Sequence, residues 1–555
     1  MNNQNISFNL LTKPWIPTQD RQGTIAERGI LDVLREAHML RGVTDPAPPV
    51  EFGIIRFLVA FITDLYQVKT ISDMEDLLDQ GQFDSVKLEK YAVELRDRFD
   101  LFDPVRPFYQ VPAAQMIKKK GTEPVARLFQ HLPAGNFHIF FTHTVAASHA
   151  FSPAVCARAL CTIPPFMTPG GAGYYPSVNK TPPWYVVVEG RTLYETLVLN
   201  ICGKDLPTKN VNLPPAWKAM DPTPEKVTIQ KFSTLQGLTW QARRISLIPS
   251  EGGNCTYSGL KSDVLIREIM FGPGPKADGP WTDPNVAYVI SNKGPIPIRP
   301  QEDRASWRDI GPLMLLRESE YQAEGGKKAF NCPAVVQQFT ELRQNSTLPE
   351  DTPLVVTAYG IRTDMKMKIF EWLGDRLALP KRVATQPNLR VQVQRALDLA
   401  EYVNATLRAA ISRSYPRNGQ GAKNPLGTLK DLSSSAYWEA ILRNFKMNLI
   451  ETGLLCQDIN DPNAPGKLEQ DWKRILLKEG SDTLELSLKD LDSNAKEIER
   501  AEKARGFFQG VTRKKFFPPK DVTELRRKKR GNKTGIVGSS NPQSKPRSTT
   551  SLPHT

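Results

Sequence analysis

The sequence predicts an α+β protein: a large irregular mixed N-terminal domain, a C-terminal four-helix bundle and a basic, disordered tail. Three observations lead there. Over residues 1–379, β-rich runs alternate with apolar helical runs and Pro/Gly turn clusters. Over residues 380–510, four stretches repeat apolar residues at helical spacing. Over residues 511–555 that periodicity stops and positive charge takes over.

The chain opens with FNLLTKPWIP. Its apolar run, Phe8 to Leu11, is broken by Asn9 and stopped by Lys13-Pro14, unlike a secretory signal. It reads as a first strand closed by prolines, which cannot donate to a ladder. ILDVLREAHML and PVEFGIIRFLVAFITDLYQV have helical spacing. The second is the most apolar stretch, but Arg56 and Asp64 cut it short of the ~20 apolar residues of a membrane span. It reads as a buried helix. PPWYVVVEG, LTWQARRISLI and AYVISN, rich in β-branched and aromatic residues, read as strands.

LALPKRVATQPN marks the domain break. Beyond it, Val393, Ala396, Leu397, Ala400, Val403, Leu407 and Ile411 share one helical face. Trp438, Ile441, Leu442, Phe445 and Leu449 share another. KLEQDWKRILLKEG and LDSNAKEIERAEKARGFF complete four helices, for which an antiparallel bundle is the simplest packing.

A chain of 555 residues exceeds what one hydrophobic core supports. Its six cysteines lack framework spacing and read as the reduced thiols of a cytoplasmic protein. No CxxC pair occurs, so no zinc is expected. Of the net charge of +14, residues 511–555 carry +10, with twelve Lys/Arg against Asp521 and Glu524. Such a tail can touch phosphates without sequence preference or simply keep the chain soluble.

HExxH, GxxxxGK[ST] and GxSxG are all missing, and no histidine precedes an Asp. No catalytic residue, metal or cofactor is therefore expected. His131, His138, His143 and His149 cluster without carboxylate or thiolate company, and read as loop or core histidines. TPGGAGYY places Gly170, Gly171 and Gly173 where backbone could approach a ligand closely, although most such clusters are plain turns. YSGLKSD sets Lys261 after a turn, LTWQARRISL carries Arg243 and Arg244, and YGIRTDMKMK carries Arg362, Lys366 and Lys368. Each alone is an ordinary solvated face. Together they suggest a surface that touches DNA.

Taken in order, FNLLTKPWIP, RPFYQV (Arg106 to Val111), FSPAVCARALCTIPPFMTPGGAG, LTWQARRISL and YGIRTDMKMKIFEW resemble the CasA family, the large subunit of the type I-E CRISPR surveillance complex Cascade. The resemblance covers roughly residues 6–500. It implies a subunit without catalysis that inspects duplex DNA for the motif flanking the target, the PAM, from the minor groove. It also implies help in starting the R-loop and a docking surface for the helicase-nuclease. The implied partners are the guide RNA 5′ handle, target double-stranded DNA and the other Cascade subunits, small subunits included; no membrane is involved. A minor-groove reader sees a degenerate base pattern, and target discrimination is left to guide pairing.

Carried over by residue, the family's PAM loop falls on Gly170, Gly171, Ala172 and Gly173, and its minor-groove lysine on Lys261. The strand-separating wedge falls on Met365 and Lys366, where the best-known members have a glutamine; Met serves as an apolar insert. Residues 136–149 match a loop near the guide-RNA handle. Relatives with paired cysteines before the lysine loop differ from this chain, which has Cys255 alone. The alternatives are a basic scaffold or RNA-binding protein without DNA inspection, and a hydrolase built on the histidine cluster.

Overall fold

The computed structural model describes residues 6–116, 121–132, 148–170, 173–203, 213–219, 228–291, 294–302, 304–315, 329–349, 352–363, 369–379, 383, 387–415, 425–446 and 464–518. The chain divides into two compact units, Met1–Leu399 with Ile441–Glu469, and Ala400–Ala440 with Gln470–Thr555.

The first unit is organised around the helix Pro48–Tyr66, which is buried on nearly every side. Pro48 starts it, where a missing N–H costs nothing, and Gln67 ends it in the left-handed region at φ 53°. Gly53 admits the helix Pro153–Phe166: a Cβ there would lie 2.7 Å from the Cys161 carbonyl oxygen. Phe57 meets Phe108, Trp15 and Phe61 at ring distances of 5.5, 6.0 and 6.2 Å. Burying each such ring contributes about 1.5–3 kcal/mol. Arg56 and Asp64, the charges that interrupt its apolar run, are both paired. Arg56 donates to both oxygens of Asp283 at 3.2 and 2.8 Å and to the Leu238 carbonyl at 3.1 Å. Asp64 accepts from the Tyr91 hydroxyl and sits 2.8 Å from Lys218 Nζ.

The opening run departs from expectation. Leu10–Thr12 form a turn and Asn9 only an isolated bridge to Asp100, not a strand, because the Asn9 side chain accepts from the Leu11 N–H at 3.1 Å and its carbonyl from the Lys13 N–H at 2.8 Å. The strand begins at Ile16 and runs to Asp20, in the middle of an antiparallel sheet with Ile25–Arg28 and Leu40–Val43. Pro17 precedes the first pair with Leu40–Val43, so it removes no ladder bond on that side. Trp15 is fully buried; its indole donates to the Leu10 carbonyl at 3.0 Å, and its own carbonyl accepts from Arg158 Nε at 2.7 Å. This tryptophan between two prolines is a core anchor.

Two other segments are shorter than their patterns suggest. The helix over ILDVLREAHML stops at Glu36, and Leu40 already belongs to a strand. In LTWQARRISLI, Leu238 closes a short helix capped by Ser233, and the strand starts only at Arg243. Tyr185–Val188 and Tyr288–Ser291 are strands, as their composition predicts. Two long antiparallel hairpins frame the rest. Arg243–Asn254 pairs with Lys261–Pro273, and Leu354–Thr363 pairs with Ile369–Leu379 and, on its other edge, with Tyr185–Val188.

Four helices, Pro387–Ser414, Pro425–Asn444, Ala464–Leu488 and Ala495–Phe516, follow the predicted periodicity. The whole stripe from Val393 to Ile411 is buried, as are Trp438, Ile441 and Phe445. Leu442 is half-buried, and Leu449 lies outside the described residues. Within the second unit Gly480 permits close packing, since a Cβ there would sit 2.7 Å from the Phe508 ring and 2.8 Å from Val403. Ser433 and Ser487 share a buried hydrogen bond of 2.7 Å, and the Tyr437 hydroxyl donates to the Ala400 carbonyl at 3.2 Å. Nearly all of the basic tail, from residue 519 on, lies outside the described residues. No described helix is long and apolar enough to cross a membrane.

Candidate nucleic-acid interface

The glycine cluster lies just past the helix Pro153–Phe166, which ends because Pro164 and Pro165 withdraw two backbone donors from its last turn. The Pro165 carbonyl instead accepts from the Ser177 and Tyr185 hydroxyls at 3.2 and 2.7 Å. The loop closes on itself where the Gly170 N–H donates to the Tyr174 carbonyl at 3.2 Å. Gly173 takes φ +82°, a conformation that disfavours any side chain, and a Cβ there would meet nothing within 4 Å. Gly170 has less room: its Cβ would sit 3.2 Å from Tyr174 Cβ and 3.6 Å from an Arg243 nitrogen. Gly171 and Ala172 lie outside the described residues.

Arg243 fastens both ends of this loop. Its guanidinium donates to the Thr168 carbonyl at 2.6 Å and to the Tyr175 carbonyl, and lies 5.3 Å from the Tyr174 ring centre and 5.9 Å from that of Phe271. Tyr174 and Phe271 stack at 6.3 Å, and Arg127 covers Phe271 at 4.7 Å. Burial, with the nearby charge of Arg127, pushes Arg243 down to about 9, which leaves it cationic at neutral pH. The sequence placed Arg243 and Arg244 on a DNA-facing surface. Both are buried, at 2% and 5% exposure, because the strand start they occupy packs inward. Arg243 therefore shapes the loop from beneath. Arg362, also proposed as a surface cation, is turned to Glu371 and to the Arg304 carbonyl.

Lys261 opens the second strand of the Arg243–Pro273 hairpin, opposite Asn254, and is exposed. The tip between them is well anchored. Gly259 turns at φ +73°, the Thr256 N–H donates to the Ala150 carbonyl at 2.8 Å, and Tyr257 stacks on Phe129 at 4.9 Å. Buried Cys255 accepts from the Ser152 N–H at 3.4 Å. The glycine loop is held at the Arg243–Pro273 end of this hairpin, whereas Lys261 stands at the Asn254 end. Eleven strand steps separate Arg243 from Asn254, a path of roughly 36 Å. The structure thus puts these two features at opposite ends of one hairpin, whose register shifts between Ile248 and Pro249. Met365 and Lys366 fall between the strand ends Thr363 and Ile369, outside the described residues.

Of the histidine cluster, His131 is buried against Phe129 and Trp372, at ring distances of 4.8 and 5.6 Å, and burial pushes it down to about 4. It is neutral at pH 7 and fits a core role. His138, His143 and most of the loop over 136–149 lie outside the described residues. Among the described residues no three His, Cys, Asp or Glu side chains converge on a metal-sized site.

A family model described as CRISPR-associated protein Cse1 matches residues 9–482. The chain belongs to that family. It is 26% identical over 468 residues to the CRISPR-associated protein CasA/Cse1 of Thermus thermophilus, covering 78% of this chain and 85% of that protein. Its fold matches the crystal structure of Thermobifida fusca Cse1 with a TM-score of 0.71 at 21% identity, over 93% of this chain and 99% of that one. A chain of a CRISPR RNA-guided surveillance complex matches with a TM-score of 0.69 at 19% identity, over 90% and 99%. The order of motifs along the sequence and the family model therefore lead to the same family.

Proposed function

We propose that this Cse1-family chain is a non-catalytic subunit of an RNA-guided surveillance complex in the cytoplasm, and that it recognises the PAM of duplex DNA through the minor groove. In this reading it helps start the R-loop, recruits the helicase-nuclease, and contacts the guide RNA 5′ handle and neighbouring subunits, small subunits included. The single observation that carries it is the glycine loop. Its ends are tied down by a buried arginine, while Gly173 is left-handed and has open space above its Cα. Main chain presented in this way enters a narrow groove that a side chain would clash with, and it reads a degenerate pattern there.

The loop Gly170, Gly171, Ala172 and Gly173 is the PAM reader in this proposal, and Met365 with Lys366 is the wedge at the first unpaired base. Lys261, exposed at the other end of the hairpin from the loop, is the minor-groove lysine in this proposal. The deciding experiment is a gel shift of guide-loaded complex, with and without this chain, on one target carrying a library of flanking trinucleotides. Flank-dependent enrichment on adding the chain is the expected result. An equal rise for every flank would show a scaffold or electrostatic clamp and remove the loop's assignment.

A further inference from the structure

A second feature is independent of the glycine loop's outer face. The segment Arg106–Val111 and the strand beginning at Arg243 are stitched together: the Val111 N–H donates to the Ile245 carbonyl at 2.9 Å, and the Leu247 N–H to Gln110 Oε1 at 2.9 Å. Between them and the helix Thr234–Leu238 lies a cavity of about 280 Å³. Four arginines line it, Arg98, Arg106, Arg243 and Arg244, and no Asp or Glu does among the described residues. Arg243 is committed to the glycine loop. Arg98 and Arg106 are half-buried and make no ion pair among the described residues, so two cations face a cavity without a counter-charge. Such a site draws an anion, and arginine forks fit phosphate oxygens in particular.

The remainder of the lining is aromatic and amide. Phe108, Tyr109, Trp217 and Trp240 supply apolar ring surface. Trp240 is 2% exposed and its indole N–H has no protein partner; the side-chain oxygens of Gln236 and Gln241 are likewise buried and unpaired. Buried polar atoms are ordinarily satisfied, so three at one cavity point to a ligand that carries both donors and acceptors. Tyr109 adds a further sign. It holds φ +55°, which costs a non-glycine residue about 1–2 kcal/mol, and strain of this kind concentrates at ligand sites. Phosphate-seeking cations, ring surface and unpaired edge groups together describe a nucleotide. The volume, just under the ~300–1,000 Å³ typical of ligand pockets, suits one such unit.

We infer that this cavity binds a single phosphorylated nucleoside, with Arg98 and Arg106 on the phosphate and the Trp240, Gln236 and Gln241 side chains on the base. Its source is either a free nucleotide or the unpaired nucleotide of a strand. The inference does not rest on PAM recognition, and it is read in a separate assay without guide or target. The full chain is titrated with each of the four nucleoside 5′-monophosphates, with adenosine, with inorganic phosphate and with a short single-stranded RNA, following fluorescence from Trp217 and Trp240.

A saturable change with at least one monophosphate is expected, and adenosine and phosphate should each bind at least ~10-fold more weakly. Arg106→Gln should weaken the monophosphate by at least ~10-fold with an unchanged melting curve, because a charged hydrogen bond is lost at a half-buried site. Trp240→Phe, which keeps the ring but removes the N–H, should weaken nucleotide and leave phosphate unaffected. RNA that competes with the monophosphate and is weakened by the same arginine change identifies a strand as the source. RNA that does not compete identifies free nucleotide. Phosphate binding as tightly as nucleotide, wild-type affinity in Arg106→Gln, or no saturable binding by any monophosphate would each overturn the inference.

Discussion

Replacing Arg243 with alanine separates a buried scaffold from a DNA-touching cation. The guanidinium gives charged hydrogen bonds to the Thr168 and Tyr175 carbonyls and packs on Tyr174. Two such bonds are worth about 1.5–3 kcal/mol each, and the ring contact about 0.5–2 kcal/mol. The exposed side of the loop can rehydrate its carbonyls, so the net loss expected is about 3 kcal/mol, near the bottom of that sum. In a unit of this size that lowers the melting point by about 3 °C. Flank discrimination by the assembled complex should fall with it, because the loop loses its fixed shape. The slope of log affinity against log salt should stay the same, since a buried arginine neutralises no phosphate. A phosphate-contacting arginine would instead reduce that slope by about 1 on removal. The assay is thermal melting plus flank-library binding at several salt concentrations. A wild-type melting point with a slope lowered by about 1 would refute the scaffold reasoning.

Three further predictions follow from the same geometry. Gly173→Ala should cost only about 1–2 kcal/mol of backbone strain, since its Cβ meets nothing, yet it should lower flank discrimination. Combined with Lys261→Ala, its effect on target binding should add within about 0.5 kcal/mol, as for sites well over 10 Å apart; strong coupling would place both at one base step. His131, ordinarily near 6.5 and about 4 when folded, is held neutral by burial. Its contribution is complete above pH 6.5 and is lost as pH falls towards 4, by up to about 3 kcal/mol. His131→Leu should flatten the stability profile in that window, and an unchanged profile would count against the assignment. Arg56→Leu should cost about 3–5 kcal/mol by leaving buried Asp283 without its cation, measured by denaturant unfolding.

How much of this was readable beforehand depended on the range of the interaction concerned. The stripe Val393–Ile411 and the helix Pro48–Tyr66 were legible because helical burial repeats with a fixed period over many residues. The opening run misled because a single local acceptor, Asn9, outcompetes a two-residue alternation. The site divided along the same line. Gly173 announced itself, since left-handed backbone selects glycine locally. Arg243 did not, because arginine in sequence carries the same prior of exposure whether it ends in solvent or beneath a loop 75 residues away. The same holds for the arginine-lined cavity, whose walls come from segments more than 100 residues apart and have no sequence period. Strand pairing also decides which features can share a ligand. Lys261 stands at one end of the hairpin whose other end holds the glycine loop through Arg243. In the proposed reading, the loop end of that hairpin reads the flank and the Lys261 end sets the register of the duplex. That division of labour is what phosphate-positioning and base-reading contacts require.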